Sequence, residues 1–212
     1  MSRPITIIGC GPGARRFLTS EAVDAAAQAD VLVGAARVLA LFPESPAERV
    51  TLSGSIETLI ELIAHRKKRD AVAVLVTGDP CVHSLSGRIV ERFGIEHCRI
   101  IPGIGSVQLA LSRLGLDAAQ TTIVSAHHRL PEVNIAVLSA FETVAILTGH
   151  PASLTWIQSL AETLGSGRIV RLSNLGLPDE RIEELTEIQG GHGDPPPHPL
   201  SVVILTRRSV DT

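Results

Sequence analysis

Three short glycine-rich runs combine residue types that hold a ligand through the backbone rather than through charge: Gly9-Cys10-Gly11-Pro12-Gly13, Thr77-Gly78-Asp79-Pro80 and Ile101-Pro102-Gly103-Ile104-Gly105-Ser106. Each follows a β-branched, non-alternating apolar segment, at 5–8, 72–76 and 99–101, the pattern of strands covered on both faces of a parallel sheet. The turns are therefore expected along one carboxyl edge, where backbone N–H groups and helix N-termini converge on ligands. Three loops of small residues at such an edge describe a pocket floor. Taken alone, the glycines of the first run serve a tight βα turn equally well.

The spacing excludes the commonest phosphate chemistries. A dinucleotide turn needs its third glycine three places after the second and an acidic residue near the end of the second strand. Here the glycines alternate, Pro12 interrupts the amide array, and Gly34 stands at the acidic position. No Gly-Lys-Ser/Thr follows any of the turns, so the P-loop reading also fails. His192 and His198 lie in a late Gly/Pro-rich stretch without a spaced carboxylate or thiolate, and no metal is expected.

The elements that must position these turns read as follows. A chain of 212 residues suits two domains of about 100 each. In the first half, strands at 5–8, 31–34, 72–76 and 99–101 alternate with helices at 18–29, opened by Thr19 as N-cap, and at 35–42, 55–69, 84–93 and 106–114. The basic run Arg66-Lys67-Lys68-Arg69 ends the third of these helices and complements its dipole. In the second half, strand candidates at 121–125, 143–147, 168–172, 183–188 and 200–206 surround one helix at 153–164. The last two strands are close enough to suggest a hairpin and a mixed or antiparallel sheet.

Composition bounds the partners. Hydrophobic content of 44% against 19% charged residues belongs to a folded globular chain, not a disordered one. A net charge of −3, no tyrosine and a single tryptophan leave neither a basic footprint nor a stacking platform, so no nucleic acid is expected. Cys10, Cys81 and Cys98 form no Cys-x-x-Cys pair, which fits a reducing cytosol. With no secretory leader pattern at the N-terminus and no apolar stretch of about 20 residues, a soluble cytoplasmic protein without a membrane partner is expected.

Read together, the three turns resemble those of the S-adenosylmethionine-dependent tetrapyrrole methyltransferases, whose pattern is Gly-x-Gly-Pro-Gly, Gly-Asp-Pro and Pro-Gly-x-Ser-Ser after successive strands. The resemblance covers the whole chain and sharpens at Ser125-Ala126-His127-His128-Arg129, at Ala145-Ile146-Leu147-Thr148 and at 173–182, which opens with Ser173-Asn174-Leu175-Gly176. These segments are similar to those of the C5-methylating subunit of the precorrin-6Y C5,15-methyltransferases. The resemblance implies a two-domain α/β fold. Its N-terminal domain, 1–117, holds a mostly parallel sheet with helices on both faces; its C-terminal domain, 118–212, holds a mixed sheet with helices; the active site lies in the cleft between them. It also implies a homodimer and, since this chain lacks a C15-methylating and decarboxylating domain, a separate subunit for that step or a fused one that has been trimmed away.

S-adenosylmethionine carries no phosphate, so small neutral turns suit it. By the resemblance, Pro12, Thr77, Gly78, Asp79, Val82, Gly105 and Ser106 contact the cofactor from the first domain, with Thr148, Asn174 and Leu175 closing over the adenine. Asp79 has an alternative as N-cap of the helix behind Pro80. The substrate is a precorrin tetrapyrrole whose acetate and propionate groups need local cations; Arg129, Arg15 and Arg16 are the candidates, with Gly11, Gly13 and His128 beside them. Positioning carries most of the catalysis, with Asp79 at the site, and His127 is the candidate base, imidazole being the side chain that exchanges protons nearest neutral pH. Two positions depart from the family: His128 stands where relatives have Gly, and Gly105 where they have Ser. A family glycine usually marks positive φ or close packing, so His128 is expected to be strained and His128→Gly to relieve it. Alternatives to precorrin C5 methylation are methylation at another tetrapyrrole position, diphthine synthase, and a non-catalytic binding subunit; adenosylmethionine binding separates the last from the others.

Overall fold

The computed structural model describes residues 3–52, 55–185 and 201–207, and the chain divides into two compact units, Met1–Gly105 and Ser106–Thr212. The division falls just before the helix at Ser106–Leu114, whereas the sequence places the boundary just after it.

The first unit is built on five strands: β1 (Ile5–Gly9), β2 (Val31–Gly34), β3 (Glu48–Thr51), β4 (Val72–Val76) and β5 (Cys98–Ile101). They pair in the order β3-β2-β4-β1-β5 and every pair is parallel. Four helices connect them: α1 (Ser20–Ala27), α2 (Ala36–Leu39), α3 (Ile56–Arg66) and α4 (Ser86–Phe93). The continuous apolar strands resolve into two faces of period two. Ile8, Leu32, Ala73 and Leu75 pack with Ala22 and Ala26 of α1 and with Val38 and Leu39 of α2. Ile5, Ile7, Val31, Val33, Val72, Val74 and Val76 pack with Leu59 and Ile63 of α3 and with Ile89 of α4. Thr19 caps α1 as expected, its hydroxyl accepting from Ala22 N at 3.1 Å. The basic run at the end of α3 is structural: Arg66 pairs with Glu48 and Asp70, and the Lys67 ammonium lies over the Phe93 ring.

β3 was not expected from the sequence. Its residues are mostly exposed and polar, and only its backbone pairing with β2, Val31 opposite Glu48 through Gly34 opposite Thr51, makes it a strand. An edge strand without an apolar face carries no periodic signal.

The second unit opens with α5 (Ser106–Leu114) and continues through β6 (Thr121–Ala126), α6 (Ile135–Leu138), β7 (Thr143–Thr148), α7 (Ser153–Leu164), β8 (Arg168–Ser173), β9 (Arg181–Glu184) and β10 (Ser201–Thr206). The sheet order is β6-β7-β10-β8-β9, with β6 and β7 parallel and the remaining pairs antiparallel, the mixed sheet expected. Val124, Val144, Ile146, Val203 and Leu205 pack against Leu154, Ile157 and Leu160 of α7, while α5 lies against β10. The expected hairpin of the last two strands does not form. β10 inserts between β7 and β8, and β9 pairs with β8 instead. β10 is buried along its whole length, and pairing with both β7 and β8 satisfies both its backbone edges.

Candidate functional site

In the first unit the strand order places the candidate site. β1 and β4 are neighbours, yet their following helices lie on opposite faces, α1 with one core and α4 with the other. Such a point opens a crevice at the carboxyl edge, where ligands of α/β sheets bind. The three glycine turns follow β1, β4 and β5, the adjacent strands at that crevice.

The turns meet backbone to backbone. Gly11 and Gly78 exchange both hydrogen bonds, Gly11 N to Gly78 O at 3.3 Å and Gly78 N to Gly11 O at 2.8 Å, with φ near +67° and +69°. Gly103 packs so closely that a Cβ there would stand 2.5 Å from Gly78 O and 2.7 Å from the Gly9 carbonyl carbon. The glycines therefore let three loops approach one another, and the floor they make is backbone. Pro12 and Gly78 are buried in it, with Gly13 half-buried beside them.

Asp79 ties this floor together. One carboxylate oxygen accepts from Cys81 N at 2.7 Å and the other from Gly103 N at 3.1 Å, joining the β4 turn to the β5 turn. It does not cap α4, whose N-terminus is at Leu85 and has no side-chain cap. Thr77 accepts a hydrogen bond from Arg37 at 2.6 Å, and Val82 follows half-buried. Gly105 is buried at the end of the β5 turn and Ser106 begins α5 half-buried. Arg15 and Arg16 lie exposed in a single 3-10 turn; Arg15 faces Glu44 at 3.7 Å and the Arg16 guanidinium covers the Phe17 ring. Cys10 is fully buried, its thiol donating to Ile8 O, and burial pushes its pKa up to about 12.

The second unit also gathers its candidates at one edge. β6 and β7 are parallel and β8, opposite β10, runs the same way, so His127, Thr148 and Asn174 all emerge at carboxyl ends. His127 Nδ1 lies 2.7 Å from Thr148 O. A carbonyl can only accept, so Nδ1 carries the proton and Nε2 is the free acceptor of the neutral ring. Gly149 leaves room for this ring, since a Cβ there would strike His127 Nδ1. The Thr148 hydroxyl is turned inward and donates to Ser201 O at 3.0 Å, so Thr148 offers the edge its backbone. His128 sits edge-on to His127, ring centroids 4.5 Å apart, and both His128 and Arg129 are exposed.

His128 corrects one expectation. Among the described residues, the only non-glycine positions with positive φ are His83 and Asn174. His128 is therefore unstrained, and the family glycine at its position is not a conformational requirement in this chain.

Asn174 follows β8 in the left-handed region, φ +53°, and is nine-tenths buried. Its Nδ2 donates to Asp179 at 2.6 Å, while its Oδ1 is buried without a partner. An orphaned acceptor costs about 1–3 kcal/mol, which a ligand donor such as an exocyclic amine or a ribose hydroxyl would offset. In the first unit the neutral backbone floor suits a phosphate-free ligand; in the second, the lone Asn174 acceptor suits an adenosine donor. Leu175 is buried next to Asn174, and the loop is latched by Glu180, which accepts from Gly176 N and from Arg113 of α5.

Among the described residues no group of three or more His, Cys, Asp or Glu side chains converges on a metal site, and no helix is long and apolar enough to cross a membrane. His192 and His198 lie outside the described residues. The residue that sequence reasoning missed is Arg37, whose position at the mouth of the β4 turn follows only from β2 and β4 being neighbours.

Residues 4–189 match the family model described as Tetrapyrrole (Corrin/Porphyrin) Methylases. The chain is 35% identical over 183 residues to a cobalt-precorrin-7 C(5)-methyltransferase of Salmonella typhimurium, covering 85% of this chain and 90% of that one. It is 30% identical to a decarboxylating precorrin-6Y C(5,15)-methyltransferase of a Sinorhizobium species, covering 84% of this chain but 44% of the relative. The crystal structure of a cobalamin biosynthesis precorrin-6Y methylase from Archaeoglobus fulgidus superposes with a TM-score of 0.72 at 28% identity, over 98% of this chain and 99% of the other.

Proposed function

This chain belongs to the tetrapyrrole (corrin/porphyrin) methylases, and within that family we propose that it methylates C5 of a precorrin-7-type tetrapyrrole in cobalamin synthesis. It is an S-adenosylmethionine-dependent methyltransferase, and the observation that supports the cofactor in its second unit is the buried, unpartnered Asn174 Oδ1. When bound, S-adenosylmethionine supplies an electrophilic methyl group on a sulfonium. The backbone of Gly78, Val82, Gly105 and Ser106 holds and orients it, with Asn174 and Leu175 meeting the adenosine. Asp79 acts by fixing the turns to one another. Pre-ordering a floor in this way removes motion that would otherwise blur alignment, and alignment to within about 3–3.5 Å contributes about 7–11 kcal/mol in favourable cases.

The electron-rich ring carbon is the nucleophile, so no side chain need be activated to attack. His127 takes the role of proton acceptor through Nε2, held in that tautomer by Thr148 O. Arg129, exposed after the His127 turn, meets peripheral carboxylates, as do Arg15 and Arg16 beside Gly11 and Gly13. The protein is proposed to be a cytoplasmic homodimer, two-fold association being the commonest closed symmetry. The decarboxylating C(5,15) activity is named for the Sinorhizobium relative, of which the matched region covers 44%.

Incubation with methyl-labelled S-adenosylmethionine and cobalt-precorrin-7 tests the reading. Label is expected at C5 of the macrocycle. Transfer to another ring position, or none with tight cofactor binding, would overturn the C5 assignment.

A further inference from the structure

We infer that Arg37 is the carboxylate-binding residue of the first unit's site, a role that rests on the methyltransferase reading above. β2 ends at Gly34, and Arg37 lies in the first turn of α2 immediately after it. Because β2 pairs with β4, this places Arg37 beside the Gly78-Asp79 turn, and its Nη2 donates to Thr77 Oγ1 at 2.6 Å. That bond fixes the orientation of the planar head and leaves its other donors to a ligand.

The surroundings lack a counter-ion. Among the described residues no acidic side chain lies within ion-pair distance of Arg37, whereas Arg66, Arg113 and Arg168 are each matched with a carboxylate. The difference appears in their protonation. Carboxylates raise the pKa of those three arginines, while burial of its head lowers that of Arg37, although the residue keeps much of its surface in solvent. The neighbouring acids are not available. Asp79 is committed to Cys81 N and Gly103 N, and the Cys10 thiol is held neutral by burial. A partly desolvated guanidinium, oriented by a threonine at a ligand edge and given no acid, is arranged for an anion from outside the chain.

A carboxylate fits the planar fork, and the proposed reaction offers two: the methionine moiety of the cofactor and the peripheral acids of the tetrapyrrole. Calorimetric titration of wild type, Arg37→Gln and Arg37→Lys with S-adenosylhomocysteine and with 5′-methylthioadenosine, which lacks the amino-acid part, separates them. If the cofactor carboxylate is bound, Arg37→Gln weakens S-adenosylhomocysteine about 10- to 100-fold and leaves methylthioadenosine unchanged. If the tetrapyrrole is bound, both nucleosides keep their affinity and KM for cobalt-precorrin-7 rises by a similar factor at unchanged kcat. Arg37→Lys should recover part of either loss. Equal loss for both nucleosides, or no change in affinity and KM, would overturn the inference while wild-type binding still upholds the methyltransferase reading. Absence of S-adenosylhomocysteine binding by the wild type would sink that reading and this inference with it.

Discussion

The two candidate edges are built by opposite means. In the first unit, three turns are pressed together by leaving side chains out: Gly9, Gly78 and Gly103 touch through backbone, and one carboxylate, Asp79, links two of them. In the second unit the edge is a lattice of side-chain bonds, His127 to Thr148, Thr148 and Ser173 to Ser201, Asn174 to Asp179, and Glu180 to Arg113. The backbone floor is rigid and unselective. The side-chain edge is adjustable, and it carries the groups that can move a proton or accept a donor. Substitutions should therefore act on stability in the first region and on turnover in the second.

The largest effect is expected at Gly103. An added methyl group meets backbone on two sides, which cannot rotate away, so Gly103→Ala should cost about 3 kcal/mol, the upper end for overpacking. Chemical denaturation measures it. A loss below about 1 kcal/mol would mean that the turns are looser than their spacing implies.

In the second region His127→Ala should lower kcat about 100-fold while leaving S-adenosylhomocysteine affinity nearly unchanged, at a stability cost of about 1 kcal/mol for the lost bond to Thr148 O. Gly149→Ala sharpens the test, because its methyl group meets both the His127 ring and the His127 carbonyl oxygen and so shifts the imidazole without removing it. Both variants should lose turnover, and only His127→Ala should be partly rescued by added imidazole. Normal turnover in His127→Ala would make the imidazole structural.

This contrast also explains what was legible in the sequence. The first edge was visible from residue types, since closely packed loops require glycine and the apolar strands before them announce a parallel sheet. The second was visible only through resemblance, because Thr148 and Ser201 are 53 positions apart and no local pattern records their bond. The same reason hid β3, whose strand character lies in its pairing, the insertion of β10 between β7 and β8, and the place of Arg37 against Thr77. What the chain writes locally could be read; what the strand order creates could not.

Asp79→Ala tests the one side chain that holds the backbone floor. Losing two charge-assisted hydrogen bonds at a half-exposed position should cost about 1–2 kcal/mol, and cofactor affinity should fall as the turns separate. Intact stability with lost binding would instead make Asp79 a ligand contact alone.

Cys10 gives the first region a pH signature. Burial raises its folded-state pKa to about 12 from the ordinary thiol value of 9.0, so its contribution is complete below the unfolded value and is lost as pH rises from about 9 toward 12. Stability should drop by about 1 kcal/mol between pH 8 and pH 10 through this group. Cys10→Ala should flatten that part of the profile, and an unaltered slope would show that the thiol ionises as readily folded as unfolded.

The smallest effect is expected at His128, where the two regions are most easily confused. In the first unit a glycine is required by contact, so by analogy the glycine that relatives carry at this place would be preferred here too. The backbone argues otherwise. His128 has no positive φ, and it lies exposed with its ring edge against His127. Glycine would relieve no strain, would widen the unfolded ensemble, and would remove a ring that limits the motion of His127. His128→Gly should therefore destabilise the protein by about 0.5–1 kcal/mol rather than stabilise it. Thermal unfolding beside His128→Ala separates the causes: if glycine costs more than alanine, the difference is backbone entropy, and if the two are equal, the loss is the ring contact. A variant more stable than wild type would restore the view that this position, like those of the first edge, was built for glycine.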